Sequence, residues 1–298
     1  MLEFKPIECA DQQAMNRFLL RKGNLSAHRN FTTLYMWGKL FDQQWCEQDG
    51  WLFIRAGESF YLPLGEEGKT DLTWPVEQIK AWSDEHGVPL TIWGVEAEER
   101  QRLEAAFPGK FLYQPMREYA DYVYGVEKLS ELAGKKLHGK RNHINKFIQL
   151  NPDWRFETIT AENIDEVYSM NQAWCRRNDC DKNSSLQEEA CAVRRCFRHY
   201  EELGLLGGLI RDQEGKVVAY SMASPLGTEA VDVHIEKAFA EVAGAYTIIN
   251  REMVRYLKQK LPGLLWINRE DDTGDEGLRK AKLSYQPDLL VEKELATW

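Results

Sequence analysis

Between Leu205 and Lys260 the sequence runs through three β-rich segments and one long helix-forming segment with almost nothing between them. The segments are Leu205 to Arg211, Val217 to Ser224 and Ala230 to Ala238, with Gly215 in the first turn and Pro225-Leu-Gly227 in the second. Turns this short join antiparallel neighbours, because a parallel crossover needs a dozen residues or more. Ala245 to Lys260 then reads as a helix stopped by Pro262-Gly263. A three-stranded meander followed by a helix commits this part of the chain to a mixed α/β domain.

The flanking pattern extends the alternation. Lys135 to Leu150 is helical, with Leu137, Ile144, Phe147 and Ile148 at helix spacing. Arg155 to Ile159 predicts a strand, Ala161 to Arg177 and Leu186 to Leu203 helices, Leu264 to Asn268 a strand, Asp275 to Ser284 a short helix and Leu289 to Lys293 a last strand. The first half alternates too. Helices are expected over Ala10 to Arg21, Asn24 to Lys39, Val76 to His86 and Glu96 to Ala106. Strands are expected over Trp51 to Arg55, Ser59 to Pro63, Leu90 to Trp93, Phe111 to Pro115 and Tyr119 to Tyr124. At about 150 residues per domain, 298 residues accommodate two α/β units, and the division is expected at 1–125 and 126–298.

Charge singles out one helix. The chain holds 38 Lys and Arg against 47 Asp and Glu, a net charge of −9, which excludes a protein that coats duplex DNA through a positive surface. Yet from Ala133 to Asn151 there is no acid, and Lys135, Lys136, Lys140, Arg141 and Lys146 accompany His138 and His143. On a helix Lys136, Lys140 and His143 share one face, while His138, Asn142 and Lys146 share another. Such stacking of like charges is unfavourable unless an anion offsets it. With Asn142 and Asn145 as neutral donors, the segment reads as a grip for a phosphate-bearing ligand; a solvated face is the plain alternative.

Two further segments carry polar chemistry. Val231 to Ala238 leads through Glu241-Val-Ala-Gly-Ala-Tyr246 into a helix. A small-residue loop at a helix N-terminus binds phosphate through free backbone N–H groups, which makes Ala243, Gly244, Ala245 and Tyr246 candidates. Uninterrupted alternation would put His234 and Glu236 on one strand face, either able to act as general base. Asn268-Arg-Glu-Asp-Asp to Tyr285 crowds polar groups at the end of a predicted buried strand, the end where α/β sheets bind ligands. Asp271 and Asp272 could accept from an amine there, and Arg279 and Lys280 could reach phosphate.

Six cysteines lie at 9, 46, 175, 180, 191 and 196. Their spacing misses the common zinc templates, so reduced thiols and no metal are expected. No apolar run is long enough to cross a bilayer. Met1-Leu-Glu-Phe-Lys-Pro lacks the apolar core of a signal peptide, and a cytoplasmic location is expected.

Lys135-Lys-Leu-His-Gly-Lys-Arg-Asn-His-Ile-Asn-Lys-Phe147, Glu236-Lys-Ala238 with Gly244-Ala-Tyr246, and Asn268-Arg-Glu270 with Gly277 to Tyr285 together resemble a bacterial family similar to the C-terminal catalytic domain of phosphatidylglycerol lysyltransferase. The resemblance implies two tandem GNAT-like (acyl-CoA N-acyltransferase-like) domains. Relatives of this fold move an aminoacyl group from aminoacyl-tRNA to a lipid or peptide, or an acyl group from CoA to an amine. The resemblance thus implies a transferase with a phosphate-bearing donor, no tightly bound cofactor, and a small-molecule, peptide or lipid acceptor. Glu236, Asn268, Asp271 and Tyr285 would be catalytic. Two departures stand out: Glu241 and Tyr246 replace the Gln/Arg and Gly/Ala of the usual acetyltransferase loop, and the membrane helices of the full lysyltransferase are missing from this sequence. A GNAT-like module that binds nucleotide or tRNA without catalysis is the alternative.

Overall fold

The meander and its neighbours build the second of two mixed sheets in the structure, a computed structural model describing residues 2–298. The first lobe contains β1 (Lys5–Pro6), α1 (Gln12–Leu19), α2 (Phe31–Gly38), β2 (Gln43–Gln48), β3 (Trp51–Ala56), β4 (Ser59–Tyr61), β5 (Leu64–Gly65), α3 (Thr73–His86), β6 (Thr91–Val95), α4 (Ala97–Ala106) and β7 (Leu112–Pro115). The second contains β8 (Asp121–Gly125), α5 (Val126–Glu131), α6 (His138–Leu150), β9 (Arg155–Thr158), α7 (Ile164–Arg177), α8 (Ser184–Arg198), β10 (Leu206–Arg211), β11 (Val217–Pro225), β12 (Ala230–Ala238), α9 (Ala245–Lys260), β13 (Trp266–Asn268), α10 (Glu276–Leu283) and β14 (Leu289–Val291). The last strand, β15 (Glu294–Thr297), returns to the first sheet.

Strand order is β1-β2-β3-β4-β6-β15-β7 in one sheet, with β5 on β3, and β14-β8-β13-β12-β11-β10-β9 in the other. Each sheet is antiparallel except for one parallel pair, β4 with β6 and β12 with β13. That repeated device is the tandem GNAT-like architecture. The meander turns out as its short loops dictate, with β10 to β12 antiparallel and β11 buried along eight of its nine residues.

The sheets divide the chain otherwise than at residue 125. Asp121–Gly125 lies inside the second sheet between β13 and β14, and β15 lies inside the first between β6 and β7. Each of the expected halves therefore lends one interior strand to the other's sheet. Asp121 sits at the exchange with no solvent exposure, accepting from Lys293 Nζ at 2.6 Å, Ala27 N–H at 2.8 Å and Asn268 Nδ2 at 3.1 Å.

The helix expected from Asn24 to Lys39 is broken. Asn30 is extended, its side chain accepts from Thr32 N–H at 2.7 Å, and α2 starts only after it; an Asn that captures a backbone N–H ahead of it caps a helix. Strands β2 and β15 escape detection because Gln43-Gln-Trp-Cys-Glu-Gln48 alternates weakly and four residues are too few for a period. All six cysteines are free. Among the described residues no helix is long and apolar enough to cross a membrane.

Candidate active site

The parallel pair at the centre of the second sheet comes apart. β12 is nine residues long but pairs with β13 only through Ala230, Asp232 and the residue between them. From Val233 onward its edge diverges, and a V opens between the end of β12 and the segment after β13. On its other side β12 pairs with β11, Asp232 opposite Ser224, Ile235 opposite Met222 and Glu236 opposite Ser221, so His234 is an extra residue in the register. A bulge of this kind breaks alternation. His234 faces the side of Ser224, and Glu236 faces the opposite side, toward α9. The expectation that the two share a face fails for that reason.

Six side chains from six separate segments meet at the V. Glu236 accepts from Arg269 Nη2 at 2.8 Å and from Asn250 Nδ2 of α9 at 3.0 Å. The Arg269 guanidinium lies 4.8 Å from the ring centre of Tyr285 and 5.8 Å from that of Tyr124. Lys140, from the basic helix α6, places Nζ 3.8 Å from the Tyr285 ring centre. Burial holds the Lys140 ammonium down to about 8, with the Arg269 charge adding to the effect and Glu236 opposing it. Burial also pushes the Tyr285 hydroxyl up to about 12 against the pull of Arg269. Arg269 Nη1 and Asn250 Oδ1 are buried with no partner among the described residues. The cluster therefore offers one spare donor and one spare acceptor flanking Glu236, plus an amine that burial brings down to about 8.

Gly244 brings α6 to this place. Its φ is +86°, and a Cβ there would stand 2.3 Å from the carbonyl oxygen of His143 and 2.9 Å from Phe147 Cβ. Both the left-handed backbone and the contact require glycine. Replacing Gly244 with Ala is expected to cost about 3 kcal/mol, the sum of a strained backbone and an overpacked contact, and to shift the urea midpoint accordingly; an unchanged midpoint would contradict this packing. The loop itself is half closed as an anion cradle. Ala245 N–H donates to Val242 O and Thr247 N–H to Gly244 O, which leaves the Ala243, Gly244 and Tyr246 N–H groups without a backbone partner among the described residues. Ala243 is half-buried and Ala245 buried. The Tyr246 hydroxyl accepts from Trp174 Nε1 at 3.1 Å, and Glu241 pairs with Arg177.

The remaining expected site residues lie elsewhere. Lys136, His138, Asn142, Asn145 and Lys146 are exposed along α6, with Asn142 hydrogen-bonded to His138. Arg141 turns back onto the carbonyls of Leu132 and Gly134 and closes the turn before the helix. Asn268 is fully buried: it donates to Leu25 O and Asp121 and accepts Glu270 N–H, which leaves it no group for a substrate. Arg279 grips Asp272 with two bonds of 2.8 Å and, with Tyr122, holds that carboxyl well below its usual range although burial acts the other way. Asp271 is raised by burial to about 6 and caps Thr273 N–H. Lys280 is exposed. The structure thus gathers Lys140, Glu236, Tyr285 and the Gly244 loop, and it separates Asn268, Asp271 and Arg279 from them. Arg269 and Asn250 were missed. Asn250 carries a readable signal, a polar side chain among Ile248, Ile249 and Met253 on a buried helix face.

The family model matching residues 22–296 is that of phosphatidylglycerol lysyltransferase, C-terminal. The chain belongs to this family. Membership makes it a relative of aminoacyl-transferring domains. A solved conserved protein of unknown function from Bacteroides thetaiotaomicron is 35% identical, with a TM-score of 0.93, covering 100% of this chain and 99% of that one. The structure of L-PGS from Bacillus licheniformis, 14% identical with a TM-score of 0.66 over 100% of this chain and 94% of that one, shares the fold. A curated relative, the uncharacterized protein MYCGA3080 of Mycoplasmoides gallisepticum, is 24% identical over 59% of this chain; the match spans only 55% of that protein.

Proposed function

We propose that this lysyltransferase-family chain takes an aminoacyl group from aminoacyl-tRNA and passes it to an amine or hydroxyl acceptor in the V between β12 and β13. One observation carries the reading: the unpartnered Arg269 Nη1 and Asn250 Oδ1 flank Glu236 within reach of Lys140. An aminoacyl ester presents a carbonyl oxygen that needs a donor and an amino group that needs an acceptor. Arg269 Nη1 serves the first, and Asn250 Oδ1 with Glu236 the second. The acceptor nitrogen or oxygen bonds to the carbonyl carbon, and the ester C–O bond breaks. Neutral Lys140 takes the proton of the attacking group and returns it to the leaving ribose oxygen.

The loop favours tRNA over acyl-CoA as donor. Gly244 lies under α6, Tyr246 stands where a small residue is usual, and the Ala245 and Thr247 N–H groups are already taken by Val242 O and Gly244 O. Exposed Lys136 and Lys146 suit a polynucleotide backbone better than one compact cofactor. Replacing both with Ala is expected to weaken tRNA binding and to flatten the slope of log affinity against log salt by roughly one unit per lysine that touches phosphate; an unaltered slope in a filter-binding titration would remove α6 from the tRNA path.

The direct test incubates the protein with labelled aminoacyl-tRNAs and acyl-CoAs, with amines, peptides and phosphatidylglycerol vesicles as acceptors. Faster discharge of an aminoacyl-tRNA with label appearing in an acceptor is the expected result. Consumption of acyl-CoA with every aminoacyl-tRNA intact would assign the donor to CoA. Binding without discharge of any donor would make the chain a binding module and end the transferase reading.

A further inference from the structure

On the sheet face opposite Lys140, four ligand-type atoms converge between the lobes. Thr33 Oγ1 of α2 lies 3.3 Å from Asp232 Oδ2 and 3.4 Å from His234 Nδ1. His234 Nδ1 lies 3.6 Å from Asp232 Oδ2 and 3.1 Å from Glu270 Oε1. Ligands held about 2.0–2.1 Å from a tetrahedral centre stand about 3.3 Å apart, so the four separations are those of a coordination sphere. The side chains of Asp232 and His234 have no solvent exposure, and Glu270, at 24%, forms the way in.

Donors of the protein do not account for this cluster. One imidazole N–H and one hydroxyl face two carboxylates, and Asp232 Oδ1 stays buried without a partner among the described residues. A buried carboxylate oxygen left unmatched is unfavourable. The other ring nitrogen, His234 Nε2, lies 2.8 Å from Ser224 Oγ, and Ser224 is bonded in turn to Asn30. A metal-bound imidazole carries such an outer hydrogen bond, which fixes its ring and aims the free lone pair at the ion. Glu270 is held with φ at +56° by Asn268, which accepts its N–H, and by Tyr122, whose N–H donates to its carbonyl. A left-handed glutamate persists only where its surroundings hold it there.

We propose that Thr33, Asp232, His234 and Glu270 bind one divalent cation of the zinc or manganese class, and that the ion ties helix α2 of the first lobe to the second sheet. One imidazole with three oxygens suits these ions. The site is independent of the proposed transfer chemistry, which lies on the other face. The same atoms could be drawn as a Ser224–His234–Glu270 nucleophile relay, since Ser224 borders a cavity of about 300 Å³ lined also by Gln12, Asn30 and Leu203. Against that reading, Asn30 already bonds the Ser224 hydroxyl.

The test strips the full chain with a chelator, desalts it, and titrates Zn²⁺ and Mn²⁺ separately. One equivalent retained through gel filtration and a raised unfolding midpoint are expected, and Co²⁺ in the site is expected to show the intense visible bands of four-coordinate geometry. Glu270→Gln and His234→Gln are each expected to weaken binding by at least about 100-fold, since even outer-shell partners cost 10–100-fold. Glu270→Gln is nearly isosteric and partly exposed, so a normal melt of the stripped variant shows that the fold is kept. Equal metal retention by wild type and Glu270→Gln, no retention at all, or labelling of Ser224 by a fluorophosphonate would each overturn the proposal.

Discussion

Lys140→Gln is expected to lower the rate of aminoacyl transfer by about 10²–10⁴-fold, the range for losing a positioned general base. The pH profile separates this role from a phosphate grip. Burial favours the neutral amine and brings the group to about 8. The neutral amine is the base, so kcat/KM rises as pH increases through about 8 in the wild type and loses that step in Lys140→Gln. Lys140→Arg decides further: it keeps a cation on the Tyr285 ring but cannot lose its proton near neutral pH. Transfer by Lys140→Arg is expected to be as poor as by Lys140→Gln while tRNA affinity is retained. An active Lys140→Arg with an unchanged profile would return the lysine to binding alone and pass the proton to another group.

The largest stability effect is expected at the exchange between the lobes. Lys293 and Asp121 are 1% and 0% exposed and 2.6 Å apart. Lys293→Ala leaves the carboxylate buried with only Ala27 N–H and Asn268 Nδ2, and removing one partner of a buried pair costs about 3–5 kcal/mol. A urea denaturation series is expected to show that loss. Because the cost is an unpaired charge and not a missing attraction, Asp121→Asn combined with Lys293→Met is expected to be less destabilised than Lys293→Ala alone. If the double variant were as unstable as the single one, packing and not charge would govern the junction.

Local patterns were legible where a segment's neighbours in sequence set its structure. The meander, α9 and its glycine-opened start, and the basic α6 all appear close to their expected bounds, because turn length, helix period and the φ needs of glycine act within a few residues. Of the candidate site, Glu236, Lys140, Tyr285 and Gly244 come together as a cluster. What failed depended on register or on the far end of the chain. A single extra residue at His234 turned Glu236 to the other face. Asn268 looked like a ligand contact and is engaged by Asp121, 147 positions away and invisible to any local reading, while Arg279 is engaged by Asp272, only seven positions before it.

By itself the sequence determined the two α/β units, the glycine-opened loop before α9 and the helix that carries the cations, since each follows from periodicity, turn chemistry and charge within short windows. Only the tertiary structure decided that Lys140 is half-buried against Tyr285, that Arg269 and Asn250 keep one spare atom each, that Thr33 meets Asp232 and His234, and that the last strand completes the first sheet. Those outcomes rest on burial and on contacts between different elements, 199 positions apart for Thr33 and Asp232, and such proximity is set by packing whole elements against each other, not by the order of residues along any one of them.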